Sequence, residues 1–284
     1  RTPTAPAAAA MTRTTLGTQI ALGDVRSRAL PEAPRFVAFI AATMNGWKLP
    51  ILFEEVGERY DFVAIDFAKN EQKAPAYLEV NPNGRIPALH DRETGVTLAE
   101  SGAILEYLAD HGPANGLLPG SLAGRYEVLQ WVHWQVSGLG PMMGQAMYFQ
   151  RIAEPQGFSD PFAIKRFVDE SERLLAVLDR QLGKGRFVCG EQLTIADVAC
   201  YPYARSHFWA KVDVSALPHL QRWLADLDSR EGFQVGLTVP NANREIFGEG
   251  DVEGMVQRNA ARFAIKREGP GASGPEPEDK VARA

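Results

Sequence analysis

Two short stretches of this 284-residue chain carry three groups suited to gripping a small peptide. Glu100 and Ser101 open an apolar helical pattern, Glu100-Ser101-Gly102-Ala103-Ile104. A helix start presents free N–H groups and the positive end of the helix dipole, which suit a carboxylate, and a glutamate beside it can receive an ammonium. Upstream, Asn81-Pro82-Asn83-Gly84-Arg85-Ile86-Pro87-Ala88-Leu89 reads as a turn-rich loop entering an apolar strand that Pro87 interrupts. Proline has no ladder donor, so the strand is left unpaired there. A cis Ile86-Pro87 bond would turn the chain sharply and free the N–H and C=O of Ile86 for a peptide-like ligand. A zwitterionic small peptide meets all three demands; the plain alternative is an edge strand and an ordinary helix cap.

The elements that must position these residues follow from hydrophobic period and punctuation. Residues 35–40 are a continuous apolar run of the kind found in strands buried on both faces. Leu49, Leu52, Phe53 and Val56 recur at helical spacing over 47–56, with Pro50 in the first turn and Gly57 as the stop. A strand over 60–66 completes a βαβ unit. A short helix over 75–80, two strands joined by a turn at Glu93-Thr94-Gly95, and the Glu100 helix complete a small α/β domain with a mixed sheet. From about residue 120 the strand signal gives way to long helical patterns over 125–136 and 162–182. Leu193-Thr194-Ile195-Ala196-Asp197-Val198 is a capping-box helix start whose purpose is folding. The expected organisation is an N-terminal extension (1–34), an α/β domain (35–112), a linker (113–120), an all-helical domain (121–240) and a partly disordered C-terminal extension (241–284).

Composition narrows the function. The chain is 45% hydrophobic and 23% charged, with net charge -5, so it lacks the basic balance of a nucleic-acid or anionic-membrane binder. No apolar run approaches the roughly 18–20 residues that span a bilayer. Cys189 and Cys200 form no C-x-x-C and read as two buried thiols in a reducing, cytoplasmic setting. His133, His207 and His219 show no metal-ligand spacing, and no metal is expected. Residues 1–10 show neither a secretion signal nor a clear transit pattern, and Met11 is a candidate start of the native chain.

The combination resembles the soluble glutathione transferases over residues 35–240: a thioredoxin-like domain with an Ile-Pro turn and a Glu-Ser helix start, then an all-α domain with a Thr-x-x-Asp cap. Within that family, Thr43-Met44-Asn45-Gly46, the 81–88 loop, Glu100 to Leu108, and Trp134-Gln135-Val136-Ser137-Gly138-Leu139-Gly140-Pro141-Met142 are most similar to the nu class. That class includes bacterial enzymes that reduce disulfides with glutathione. The resemblance implies that Glu100 and Ser101 hold the γ-glutamyl end of glutathione and that Ile86, before Pro87, pairs with its cysteinyl backbone. It makes Lys48, Gln72 and Arg166 candidates for ligand carboxylates, against a reading as solvated surface, and places Thr43 and Asn45 beside the sulfur. Met44 stands where the class usually has proline, so either the loop is looser or Met44 faces the second substrate. The second pocket is expected in the helical domain, foremost at Met147, Tyr148 and Phe149. A homodimer is also implied.

A free thiol titrates near 8.5, so little of it is thiolate at neutral pH. Lowering that value by one to two units takes roughly 1.4–2.7 kcal/mol, and one charge-assisted hydrogen bond supplies about 1.5–3. A Thr43 hydroxyl, helped by a loop N–H near Asn45, is therefore sufficient without a protein nucleophile or base. The expected reaction is reduction of disulfides, and of hydroperoxides, with two glutathione molecules or glutathione disulfide as the bound species. The alternatives are thiolate attack on carbon electrophiles such as thioethers, β-aryl ethers or halides, and a non-catalytic glutathione-binding or regulatory protein.

Overall fold

In the computed structural model, which describes residues 14–16, 33–114, 116–240, 248, 250 and 252–258, the apolar run Phe36–Ile40 forms the central strand of a five-stranded mixed sheet, and all five of its residues are buried. The strands are β1 (Thr14–Leu16), β2 (Phe36–Ile40), β3 (Tyr60–Ala64), β4 (Ala88–Asp91) and β5 (Thr97–Ala99), in spatial order β1-β3-β2-β4-β5. β3 runs parallel to β1 and β2, while β4 runs antiparallel to β2 and β5. β1 is a correction to the irregular N-terminal arm: three residues carry too little period to be read, and pairing with β3 makes the strand. Pro87 also differs from expectation, standing immediately before β4 rather than inside it, so no ladder position is lost.

The helices of this half are α1 (Met44–Val56), α2 (Pro75–Val80) and α3 (Ser101–His111). α1 begins three residues earlier than the apolar period suggests because Thr43 caps it, its Oγ1 accepting the Gly46 N–H at 3.2 Å. Pro50 is therefore inside the helix, not in its first turn. Gly46 is required by close approach: a Cβ there would lie 1.9 Å from the Ala41 carbonyl oxygen.

The second half is helical. α4 (Leu122–Trp134), a π-helical turn (Gln135–Leu139), α5 (Gly140–Tyr148) and a second π-helical turn (Phe149–Ala153) run on without a break in helical backbone, further than the expected helix over 125–136. α6 (Pro161–Leu182), α7 (Ile195–Arg205), α8 (Pro218–Asp228) and α9 (Glu231–Leu237) complete the bundle. At the start of α7 the capping box forms: Asp197 Oδ2 accepts the Thr194 N–H at 2.9 Å. Asp197 Oδ1 accepts from Val188 N and Trp223 Nε1, both at 2.9 Å, so the cap also ties a loop and α8 together. α9 lies on α1 backbone to backbone; a Cβ on Gly236 would come 2.5 Å from Ile51 Cα, and Arg230 pairs with Glu55. The helix that Thr43 caps is thereby braced from the far end of the chain. Part of the expected C-terminal extension is helical, α10 (Val252–Arg258), with Val252 buried; most of that extension and of the N-terminal one lies outside the described residues. Among the described residues no helix is long and apolar enough to cross a membrane.

Candidate functional site

The loop before β4 is shaped by Asn81. Its Nδ2 donates to the Arg85 carbonyl at 2.6 Å, its Oδ1 accepts the Asn83 N–H at 3.0 Å, and its own carbonyl accepts the Gly84 N–H at 2.8 Å. The Tyr77 hydroxyl donates to the same Arg85 carbonyl at 2.6 Å. Held this way, Arg85 is exposed and Ile86 half-buried, the Ile86-Pro87 bond is cis, and no backbone hydrogen bond within the described residues engages Ile86.

Ser101 is the first residue of α3, and Glu100 precedes it with φ 72°, a backbone conformation rare for a residue with a side chain. Beneath Ser101 lies Lys48, 0% exposed, whose Nζ donates to Ser101 Oγ at 3.1 Å and to Gln135 Oε1 at 2.5 Å. With its oxygen taken by the ammonium, the Ser101 hydroxyl has its hydrogen free to donate outward. Thr43 is in the same condition, since its oxygen accepts from Gly46. Burial lowers the Lys48 ammonium to about 7, with Cys200 and Glu100 opposing that shift.

Two cavities meet here. One of about 480 Å³ is lined by Thr43, Met44, Asn45, Gln72, Lys73 and Ile86 among others. The other, about 560 Å³, is lined by Glu100, Ser101, Gln135, Pro141, Gln145 and Tyr148 among others. Asn45, Arg85 and Tyr203 belong to both walls and mark the junction. One amide atom of Gln72 is buried without a partner at this surface while the other bonds Asn70 Oδ1 at 2.9 Å.

The structure brings Thr43, Met44, Asn45, Gln72, Ile86, Glu100, Ser101 and Tyr148 to this pair of cavities and leaves five candidates out of their walls. Lys48 lines neither: it is not solvated surface but a buried prop under Ser101, because its position on α1 faces the helical domain. Arg166 lines a separate cavity of about 580 Å³ with Met142, Phe162 and Arg173. Met147 is buried in the helical core, and Phe149 stacks on Phe167 at 5.6 Å between ring centroids. Successive helical residues point about 100° apart, so of this trio only Tyr148 can face the cavity. Pro87 is buried behind Ile86. Cys200 is buried as expected, whereas Cys189 is half-buried; both thiols are free, burial raises both, and neither lines these cavities. Sequence reasoning missed Tyr203, Arg85 and Gln135 as wall residues; Arg85 and Gln135 sit inside stretches already singled out, while Tyr203 carries no local signal.

Residues 38–110 match the family described as glutathione S-transferase, N-terminal domain, and residues 161–226 the one described as glutathione S-transferase, C-terminal domain. The disulfide-bond oxidoreductase YfcG of Escherichia coli is 37% identical over 198 residues, 68% of this chain and 89% of that one. The chain belongs to the glutathione transferase family. Another similar protein is the Escherichia coli disulfide-bond oxidoreductase YghU, 35% identical over 78% of this chain and 81% of its own. Among solved glutathione transferases, one from Burkholderia graminis with two glutathione molecules bound per subunit is 38% identical, with TM-score 0.69, covering 74% of this chain and 90% of that one. One from Pseudomonas putida with one glutathione disulfide bound per subunit is 33% identical, with TM-score 0.70, covering 78% of this chain and all of that one (100%).

Proposed function

We propose that this glutathione transferase reduces disulfides with glutathione, the thiol being activated by hydrogen bonding alone. The observation that carries the reading is the junction of two cavities at Asn45, flanked by Thr43 on one side and Glu100–Ser101 on the other, with no cysteine in either wall. Glutathione lies across the junction: its ammonium on Glu100, its α-carboxylate on the Ser101 N–H and hydroxyl, its cysteinyl backbone on Ile86 and its glycyl end toward Gln72. The sulfur is then delivered beside Thr43 and Asn45. The Thr43 hydroxyl, already an acceptor to Gly46, directs its hydrogen at the sulfur and favours the thiolate. Without a protein thiol in the site, the bound thiolate attacks the substrate disulfide itself, and a second glutathione resolves the mixed disulfide. The names of YfcG and YghU and the paired glutathiones of the Burkholderia graminis structure support this reading.

The test is turnover of bis(2-hydroxyethyl) disulfide with glutathione by the wild type, Thr43→Ala and Asn45→Ala. Wild-type turnover above the uncatalysed rate, lowered in both variants, is the expected result; a wild-type rate equal to the uncatalysed one ends the proposal. We also infer a homodimer, small domain against helical domain, which light scattering on the purified chain would test.

A further inference from the structure

Hydrogen bonds from Thr43 and Asn45 serve the attacking sulfur, and the departing sulfur needs a donor of its own. Tyr203 reaches the junction from the helical domain, on α7 directly after Pro202, and is 9% exposed. Its ring is packed on two sides: Lys48 Nζ lies 5.7 Å from the ring centroid, and a Cβ on Gly140 would come 3.4 Å from Cε2. Its hydroxyl faces the Asn45 side chain. Burial pushes the phenol up to about 12, with Asn45 and Arg85 pulling the other way, so the hydroxyl keeps its proton across the neutral range. A phenol can accept at its oxygen and still donate its one hydrogen, so an amide N–H from Asn45 and a departing sulfur can both be served. The residue also lines both cavities, as Asn45 and Arg85 do, a place from which a donor can face a bond breaking between two bound molecules.

We propose that Tyr203 is a further catalytic residue, its hydroxyl donating a hydrogen bond to the thiolate that leaves the substrate disulfide. The inference rests on the disulfide reading of the site. The glutathione thiolate forms a new S–S bond to one substrate sulfur; the substrate S–S bond breaks, and the other sulfur departs with the electron pair and later takes a proton from water. A second glutathione thiolate then attacks the glutathione sulfur of the mixed disulfide, giving glutathione disulfide and the second substrate thiolate. Two glutathione thiols are oxidised and one substrate disulfide is reduced to two thiols. Tyr203 loses no proton in either step. Its hydrogen bond matters most when the leaving thiolate is strongly basic, because a weakly basic one departs readily unaided.

Tyr203→Phe removes the hydroxyl and keeps the packed ring. The expected result is a loss of about tenfold or more in kcat with bis(2-hydroxyethyl) disulfide, but less than about threefold with an aryl disulfide whose thiol is acidic, background reaction subtracted. Glutathione affinity by calorimetry is expected to stay within about twofold of the wild type, since no ligand end is held by this group. Equal losses on the two substrates, or no loss on either, would overturn the inference and leave Tyr203 a packing residue. Turnover of neither disulfide by the wild type removes the disulfide reading itself, and this inference with it.

Discussion

The Nζ of Lys48 lies 3.1 Å from the hydroxyl of Ser101, in a position sealed from solvent. The residue that opens α3 therefore rests on a buried lysine whose ammonium burial lowers to about 7 from an ordinary 10.5. Below about pH 7 folded and unfolded states both hold the proton, and the full cost of burying the charge is present. Between about 7 and 10.5 the folded protein has released the proton and the unfolded chain still holds it, so stability from this group rises with pH. Urea unfolding of the wild type against Lys48→Met should show the difference moving in favour of the wild type by on the order of 2 kcal/mol from pH 7 to pH 9. A difference that is flat over that range would mean that Lys48 stays charged in the fold.

Thr43 combines two duties that separate on substitution. Thr43→Ala removes the cap of α1, costing about 1 kcal/mol, and removes the hydroxyl that the proposed mechanism directs at the sulfur. The midpoint of thiolate absorbance for bound glutathione should rise by about one pH unit or more, with turnover at pH 7 falling about tenfold. Thr43→Ser should restore both the absorbance midpoint and the melting temperature, because it keeps the oxygen and its hydrogen.

Asp197 lines neither cavity, and its removal should read as stability alone. Asp197→Ala leaves the N–H groups of Val188, Thr194 and Trp223 Nε1 without their buried acceptor. A loss of about 3–5 kcal/mol is expected in chemical unfolding, while glutathione affinity per folded molecule is unchanged.

At low pH the relevant pair is Arg35 and Asp91, joined at 2.7 Å. Burial alone would raise the Asp91 carboxyl; hydrogen bonds from Arg35 and Tyr107 outweigh it and bring the group to about 2. Its contribution is present above the ordinary value near 3.8 and is lost as pH falls through 2. Arg35→Met should remove about 2 kcal/mol at neutral pH and move the acid-unfolding midpoint upward, followed by circular dichroism.

Much of this architecture was legible because its signals are local. The five apolar residues of β2, the periodic face of α6 and the Thr194–Asp197 box each declare themselves within a few positions. The Asn81–Pro87 loop and the Glu100–Ser101 helix start were readable for the same reason. What escaped depends on contacts distant in sequence. Lys48 reads as a surface or ligand-contacting lysine until Ser101 and Gln135 close over it. Tyr203 is one more aromatic in a buried helix until α7 is placed opposite Asn45. Arg166, Met147 and Phe149 lie outside the walls of the paired cavities, because a helical pattern identifies a buried face without saying which neighbour that face will meet. β1 was missed because three residues find their order only in a partner strand.

Glu100 holds its backbone at φ 72°, where glycine would sit at ease. Random mutagenesis screened for heat resistance alone should thus be drawn to Glu100→Gly, a change that relaxes the main chain and discards the carboxylate that the proposed binding mode offers to the peptide's amine. Robustness and ligand grip are set against each other at a single codon.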